Sequence, residues 1–235
     1  MKALIDCRAD NSLLSALENY GFEPITMPPA DYLQAGVASH TDMLIFIGFG
    51  RLFCHASYYD GNKELIDLIA LAADLDLTVS TERTGEKYPS DVLFNACLLG
   101  NKLICNEKTV SKLILDAAKA AGCEIISVPQ GYTKCSVCIV SDNAIITADK
   151  AIAAAGRASG IDVLTVSEGH ISLPPYNFGF IGGSCGECGG KVYFCGSINS
   201  HPDGARIKEF CEKHGKTAIS LSDRELIDVG SLFFI

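Results

Sequence analysis

The sequence predicts an α/β fold in which five copies of a β-β-α-β unit close into a ring, a five-fold pseudo-symmetric propeller. The order strand, strand, helix, strand recurs along the 235 residues with a period of about 40 residues. Two strands precede each helix, whereas an open doubly wound sheet alternates strands and helices strictly. The chain also ends on a bare apolar strand, Ser231–Ile235. These observations favour a closed ring.

The third unit shows the repeat most clearly. Val92–Leu99 and Lys102–Cys105 are predicted strands joined by a turn at Gly100 and Asn101. Apolar residues at 3.6-residue spacing predict a helix over Thr109–Ala121. Gly122 ends that helix, and Glu124–Val128 is the closing strand.

The fourth and fifth units repeat this order. In the fourth, the predicted strands are Cys135–Val140, Ala144–Thr147 and Ile161–Val166, and the helix begins at an Asp149 cap. In the fifth, the predicted strands are Phe178–Gly183, Lys191–Cys195 and Thr217–Leu221, and Pro202 opens the helix.

The remaining two units lie at the start of the chain. The second unit comprises Met43–Ile47, Arg51–Cys54, a helix over Leu65–Ala73 and Leu75–Val79. The first has strands Ala3–Asp6 and Phe22–Met27 around a helix near Ser12–Tyr20, and it lacks a first strand. The C-terminal strand supplies it and closes the ring. We therefore expect one domain, 1–235, with units at 1–28 plus 227–235, 41–80, 91–128, 134–167 and 177–222.

Composition excludes several classes of partner. The net charge is −9 and no Lys/Arg cluster occurs, so nucleic acid is not expected. The most apolar long segment, Leu65–Leu77, carries three aspartates, which argues against a membrane. The N-terminus lacks a signal-peptide pattern, so we expect a cytoplasmic protein. No dinucleotide fingerprint is present and no cofactor is expected.

The eleven cysteines raise the question of a metal site. Cys185 and Cys188, with their glycines, resemble a zinc knuckle, but Cys135 and Cys138 lie too far away in sequence for the usual spacing. We expect no metal, with Cys185 and Cys188 as the weaker alternative. Buried reduced thiols are the expected state of most cysteines.

Cys185 is also a candidate nucleophile, because glycines surround it in Gly182–Gly186 and open backbone amides to an oxyanion. A nucleophilic thiol needs a base, and His170 and His201 are the histidines near it in the C-terminal half. His201 at a helix start is the candidate, although a histidine there is more often structural. The other histidines His40, His55 and His214 are interpreted as solvated loop or helix-end residues.

Three segments carry a family resemblance: Asp91–Phe94, Val128–Ser136, and Ala205–Lys208 continuing through Leu221–Leu226 to the C-terminal strand. They resemble the guanidine-modifying penteins, above all dimethylarginine dimethylaminohydrolase, over about residues 88–235. With Gly179–Gly183, the chain is more similar still to a bacterial pentein-fold family that has no assigned activity. The resemblance implies the pentein fold that the repeat predicts independently.

The resemblance also bears on chemistry. The family uses a Cys near the C-terminus as nucleophile, a His as acid and base, and carboxylates that hold a cationic substrate in the centre of the ring. Asp91 stands where the family has an acid, and Lys134 matches its Lys. Tyr132 occupies the His position, and the approach to the last strand, Asp228–Ser231, has no Cys. Covalent amidino chemistry is therefore not expected.

Three hypotheses remain. The first is a non-catalytic ring that binds a small cationic, guanidino or amino-acid-like ligand near its axis; the ligand-binding candidates are Asp91, Asn95, Tyr132, Lys134, Asn177 and Asp228. The second is a thiol-dependent hydrolase with a displaced nucleophile, for which the catalytic candidates are Cys185, His201 and Asp91. The third is a protein-interaction scaffold. A homo-oligomer is compatible with all three.

Overall fold

The computed structural model describes all 235 residues and contains five separate three-stranded sheets. The fifteen strands are β1 (Lys2–Asp6), β2 (Glu23–Met27), β3 (Ile45–Gly48), β4 (Arg51–His55), β5 (Asp76–Ser80), β6 (Cys97–Leu99), β7 (Lys102–Cys105), β8 (Glu124–Ser127), β9 (Cys138–Ser141), β10 (Ala144–Thr147), β11 (Asp162–Thr165), β12 (Cys185–Cys188), β13 (Lys191–Phe194), β14 (Thr217–Ser220) and β15 (Phe233–Phe234). The eight α-helices are α1 (Asn11–Asn19), α2 (Thr41–Leu44), α3 (Ala56–Gly61), α4 (Lys63–Ala72), α5 (Lys112–Ala120), α6 (Thr133–Ser136), α7 (Lys150–Ala158) and α8 (Gly204–Lys213).

Every sheet has the same topology. The first strand runs antiparallel to the middle strand, and the middle strand runs parallel to the third. In the first unit, β15 takes the place of the first strand, because Leu4 of β1 pairs with Phe233 antiparallel. The prediction that the C-terminal strand completes the first unit is therefore confirmed. The sheets do not join into a continuous barrel.

The hydrophobic core is divided among the junctions between units. Each of five buried clusters combines side chains from two neighbouring units, and the cluster between the first and second units also includes Val92 and Cys135. For example, Phe46 and Phe53 of the second unit pack with Leu103 and Ile114 of the third. Ile5 of the first unit packs with Tyr193 of the fifth. Apolar burial therefore holds each unit to both neighbours and closes the ring.

The five helices predicted from the sequence form as α1, α4, α5, α7 and α8, and each buries one face. In α5, Ile114, Leu115 and Ala118 are buried. In α7, the Asp149 side chain caps the helix by accepting hydrogen bonds from two backbone N–H groups. No helix in the structure combines the length and the apolar character that crossing a bilayer requires.

The predicted first strands begin later than expected. In the second unit, Met43 and Leu44 belong to α2 and the strand begins at Ile45. The strand predicted at Val92 begins only at Cys97, and the one predicted at Cys135 begins at Cys138 after the short helix α6. In the fifth unit the strand is Cys185–Cys188, and Gly182–Ser184 form one turn of 3₁₀ helix. In these units a buried turn near the ring axis precedes the first strand. Because most residues of that turn are apolar, the sequence pattern does not distinguish them from the strand.

Candidate functional site

A cavity of about 210 Å³ lies at one end of the ring axis, among the segments that connect the third strand of one unit to the next unit. Ligands of α/β folds commonly bind beyond the carboxyl ends of strands. The lining residues are Gln34, Val37, His40, Met43, Asp91, Tyr132, Cys135, Leu173, Tyr176, Phe178, Phe180 and Asp228. The volume lies below the roughly 300–1,000 Å³ of drug-sized ligand pockets, so the cavity suits a small molecule.

The pseudo-symmetry of the ring explains how these side chains meet. His40, Asp91, Tyr132 and Phe180 occupy the same position in four successive units. In each unit, one residue of the first strand pairs with the second residue of the middle strand, and the named residue lies seven positions before that first-strand residue. For His40, that pair is Ile47 with Leu52. Four equivalent positions thus supply a histidine, a carboxylate, a phenol and an aromatic ring to one cavity.

Asp91 is the carboxylate with free hydrogen-bonding capacity. Its side chain is buried, and its Oδ2 accepts a hydrogen bond of 2.5 Å from the Tyr132 hydroxyl. Its Oδ1 is buried and has no partner. Burial raises the pKa of Asp91, and the Tyr132 hydrogen bond opposes that rise. An unpartnered buried carboxylate oxygen is costly, and a donor placed in the cavity would satisfy it.

Aromatic side chains line the same cavity as this carboxylate. Tyr132 stacks on Phe180 with ring centroids 6.0 Å apart, and Tyr88 lies 5.9 Å from Tyr132. Tyr176 donates a 2.7 Å hydrogen bond to the Gln34 side chain at the mouth. A carboxylate among aromatic faces is a combination that recognises organic cations.

Asp228 is held at the bottom of the cavity by backbone groups. Its carboxylate accepts hydrogen bonds from the N–H groups of Phe180 (2.9 Å) and Gly230 (3.0 Å). Burial raises the pKa of Asp228 to about 6, against the lowering effect of those hydrogen bonds. The Asp228 side chain can lie this close to positions 179 and 183 only because both are glycine. A Cβ added to Gly183 would lie 2.0 Å from Asp228 Oδ1, and a Cβ added to Gly179 would lie 2.5 Å from the Cβ of Asp228.

His40 is buried between two carboxylates, which corrects its interpretation as a solvated loop residue. Its Nδ1 lies 3.7 Å from Asp228 Oδ1 and its Nε2 lies 3.6 Å from Asp6 Oδ2. Neither ring nitrogen has a hydrogen-bond partner. Asp6 is also paired with Arg8. Burial lowers the pKa of His40, although the Asp42 and Asp6 carboxylates act in the opposite direction.

His55 and His214 lie at helix ends, as the sequence indicates, but each ring has hydrogen-bond partners within the protein. His55 is buried; its Nδ1 caps α3 and its Nε2 bonds the Glu82 carbonyl oxygen. His214 follows α8 and its Nε2 lies 3.0 Å from an Asp162 carboxylate oxygen. Both histidines are therefore structural.

A polar plug, defined here as Asp42, Asn95, Lys134, Cys135 and Ser231, closes the axis beneath the cavity. Asn95 Oδ1 accepts hydrogen bonds from the N–H groups of Lys134 (2.7 Å) and Cys135 (3.2 Å). Its Nδ2 donates to the Asp42 carbonyl oxygen and contacts Cys135 Sγ. The amide of Asn95 is thus fully used inside the protein, and Asn95 does not line the cavity.

The other members of the plug form a chain of hydrogen bonds. Lys134 Nζ donates to Ser231 Oγ (2.9 Å), and Ser231 Oγ donates to Asp42 Oδ2 (2.6 Å). Cys135 Sγ donates to Asp42 Oδ1 (3.2 Å). Burial and the nearby carboxylates raise the pKa of Cys135 well above its ordinary value. The thiol that lines the cavity is therefore protonated at neutral pH and is a weak nucleophile.

The remaining candidate residues lie elsewhere. Lys134 points its ammonium group away from the cavity of Asp91, and Asn177 is exposed beside a separate surface pocket. Cys185 and His201 line two further, different cavities. His201 Nε2 bonds the Ser167 carbonyl oxygen, and its Nδ1 accepts from the Asp203 N–H. The structure does not bring this histidine to the thiol of Cys185.

The placement of Cys185 and Cys188 also does not fit the zinc-knuckle alternative. Cys185 and Cys188 are the first and last residues of β12, so their thiols point to opposite faces of the strand. Cys185 is buried, whereas Cys188 is partly exposed next to Met1. No group of three or more histidine, cysteine, aspartate or glutamate side chains has metal-binding geometry. All eleven cysteines are free thiols.

Three comparisons with known proteins place the chain. A profile of the family of unknown function DUF6873 matches residues 4–233. No curated protein matches. A dimethylarginine dimethylaminohydrolase structure from Pseudomonas aeruginosa with citrulline shares 10% identity over 94% of this chain and 91% of that chain, with a TM-score of 0.58.

Two further solved structures agree with this likeness. An amidinotransferase of saxitoxin biosynthesis from Microseira wollei has a TM-score of 0.56 at 10% identity, covering 90% of this chain and 73% of that chain. Agmatine deiminase from C. jejuni has a TM-score of 0.50 at 11% identity, covering 93% and 75%. At such identities the likeness establishes the fold. The chain belongs to the family of unknown function DUF6873 and has the pentein fold that the sequence resemblance implied.

Proposed function

We propose that this protein binds a small cationic molecule, of the guanidino or amino-acid-like class, in the cavity that Asp91 lines, without the covalent amidino chemistry of its structural relatives. The observation that carries the proposal is the buried, unpartnered Oδ1 of Asp91 in an aromatic-lined cavity. A guanidinium or ammonium N–H placed against that oxygen would provide the missing hydrogen bond in its stronger, charge-assisted form.

The surroundings of Asp91 favour a cation over a neutral donor. Asp228 is a second carboxylate of the lining, and Tyr132 and Phe180 present stacked rings beside Asp91. A cation over such faces gains about 0.5–2 kcal/mol, depending on its desolvation. The protein as a whole carries a net charge of −9, which steers cations toward it.

The same cavity argues against a thiol mechanism. Cys135 is its only cysteine, and that thiol donates a hydrogen bond to Asp42 while its pKa is raised well above the ordinary value. A covalent mechanism needs a thiolate and a nearby base. His40 lies in the cavity, but its ring nitrogens face the carboxylates of Asp6 and Asp228. This arrangement of Cys135 and His40 favours ligand binding without turnover.

Isothermal titration calorimetry tests the proposal with methylguanidine, agmatine, L-arginine and N,N-dimethylarginine. L-citrulline is the matched probe with an uncharged side chain, because its urea group replaces the guanidinium of L-arginine with little change in shape. We expect at least one guanidino compound to bind and citrulline to bind at least tenfold more weakly. Asp91→Asn should abolish the preference, whereas Asp60→Asn, which removes an exposed carboxylate of α3, should leave it intact.

Mass spectrometry of the same incubations separates binding from catalysis. Unchanged ligand after prolonged incubation supports the proposal. Formation of a ureido product that Cys135→Ser or Cys185→Ala abolishes would replace it with a thiol hydrolase. If Asp91→Asn leaves the affinities of all the probes unchanged, or none of the probes binds at all, Asp91 does not hold a cation and the proposal is wrong.

A further inference from the structure

A second cavity, of about 220 Å³, lies at the opposite end of the ring axis. All five first strands contribute to it at one equivalent position, the residue that pairs with the second residue of each middle strand: Ile47, Leu98, Ile139, Glu187 and Phe234. Nine of its twelve lining residues are hydrophobic. This cavity is independent of the cation cavity, because the polar plug separates the two.

Two charged residues line this second cavity, and one of them is already neutralised. Glu187 Oε1 lies 2.9 Å from Lys216 Nζ and accepts a further hydrogen bond from the Gly190 N–H. Lys134 has no carboxylate within ion-pair distance, and its Nζ has one hydrogen-bond partner, Ser231 Oγ at 2.9 Å. An ammonium group carries three donors. Lys134 therefore presents unused donors and a positive charge to an apolar cavity.

The walls around Lys134 are suited to an apolar ligand body. Lys134 Nζ lies 5.6 Å from the centre of the Phe233 ring, while Phe46 and Leu98 line the same cavity. An apolar group placed between these side chains would remove apolar surface from water. A carboxylate on that group would meet the Lys134 ammonium in a partly desolvated setting, where a charge-assisted hydrogen bond is strongest.

We propose that this cavity is a second ligand site, specific for small organic monoanions with an apolar body, such as aromatic or short-chain aliphatic carboxylates. The carboxylate binds Lys134 Nζ, and the apolar body packs against Phe46, Leu98 and Phe233. The site takes the opposite charge from the cation cavity, and its occupancy does not depend on Asp91.

¹⁹F NMR with 4-fluorobenzoate as the probe tests the site. The matched controls are 4-fluorobenzyl alcohol, which is neutral, and 4-fluorobenzylamine, which is cationic. We expect line broadening that saturates for the carboxylate, with affinity at least tenfold above that of either control. Hexanoate should displace the probe. Equal binding of all three fluorinated probes would show a merely apolar pocket and would overturn the proposal.

Three variants locate the bound probe. Lys134→Met should lower carboxylate affinity at least tenfold, and Leu98→Trp should block the cavity while leaving Lys134 in place. Leu71→Trp, on an exposed position of α4, is the control for adding a tryptophan. Asp91→Asn should leave fluorobenzoate binding unchanged, which separates this proposal from the cation site.

The second variant keeps the test informative if Lys134→Met fails to fold. Retained fluorobenzoate binding in Leu98→Trp would place the probe elsewhere and refute the site. A further outcome is self-association: if light scattering shows a dimer that Leu98→Arg dissociates, and fluorobenzoate does not compete with it, this end of the ring is an interface between copies and the proposal is wrong.

Discussion

Replacing Gly183 by alanine should disrupt the cavity through one identifiable contact. The three heavy atoms nearest to an added Cβ all belong to Asp228: Oδ1 at 2.0 Å, Cγ at 2.4 Å and Oδ2 at 2.6 Å. Ordinary Cβ contacts begin near 3.4 Å, so the carboxylate must retreat by more than about 1 Å. Such a shift would break the 3.0 Å hydrogen bond from the Gly230 N–H.

The cost follows from these two effects. Overpacking a buried site costs about 1–3 kcal/mol, and a lost hydrogen bond to a charged group costs about 1.5–3 kcal/mol. We therefore expect Gly183→Ala to lower the free energy of unfolding by about 3 kcal/mol or more, which for a chain of this length lowers Tm by roughly 6–12 °C. Gly61→Ala, where an added Cβ meets no atom within 4 Å, should change the free energy by less than about 0.5 kcal/mol.

A double-mutant cycle measured by urea denaturation isolates the contact. In an Asp228→Ala background the three clashing atoms are absent, so Gly183→Ala should cost at least about 2 kcal/mol less than it does in the wild-type protein. Additive effects of the two substitutions would refute the reasoning, because the loss would then come from the backbone at position 183 and not from the carboxylate.

Three further predictions concern the same region. Cation affinity should fall as the pH falls from 7 toward 4 in calorimetric titrations, because burial raises the pKa of Asp91 and the bound cation needs its ionised form. Asp228, whose pKa is about 6, titrates in the same range, so Asp91→Asn should weaken this dependence without removing it, and an equal dependence in both proteins would contradict the assignment. Asn95→Leu should lower the free energy of unfolding by about 3 kcal/mol or more, because it leaves the N–H groups of Lys134 and Cys135 without their acceptor, whereas Asn199→Ala at an exposed position should be nearly neutral in the same denaturation assay. Iodoacetamide should label exposed Cys7 first and the partly exposed Cys123 and Cys188 next, with Cys135 and Cys185 protected by burial; rapid labelling of Cys185 at pH 6, read by peptide mass spectrometry, would restore the displaced-thiol hypothesis.

The repeat could be predicted from sequence because its signals are local. The Gly100-Asn101 turn connects β6 and β7, and the Asp149 cap begins α7, as their residue types predict. The C-terminal strand was also predictable, since a bare apolar strand needs a partner and β1 lacked one on its other side. Each of these features depends on residues that are neighbours in sequence or on a simple count of strands.

The buried turns near the axis could not be predicted in the same way. The segment Val92–Asn95 has the apolar pattern of a strand, but Asn95 is used to hold the backbone of Lys134 and Cys135 about 40 residues later. Likewise, nothing local distinguishes His40 from a solvated loop histidine, because the carboxylates that flank its buried ring, Asp6 and Asp228, come from two other segments. The sequence pattern does not predict the contacts of Asn95 and His40, because their partners come from different units.

The direction of Lys134 shows why a list of axial residues was not enough to define one site. The backbone of Lys134 adjoins Tyr132 and Cys135 of the cation cavity, yet its ammonium group crosses the plug and reaches the opposite end of the axis. Its Nζ is linked to the Asp42 carboxylate through the Ser231 hydroxyl. That connection leaves Asp91 without an internal cation, because the one lysine near the axis faces the other way. The two ends of the ring consequently differ in charge: Asp91 and Asp228 line the cavity at one end, whereas at the other end the Lys134 ammonium lies in a cavity whose one carboxylate, Glu187, is paired with Lys216.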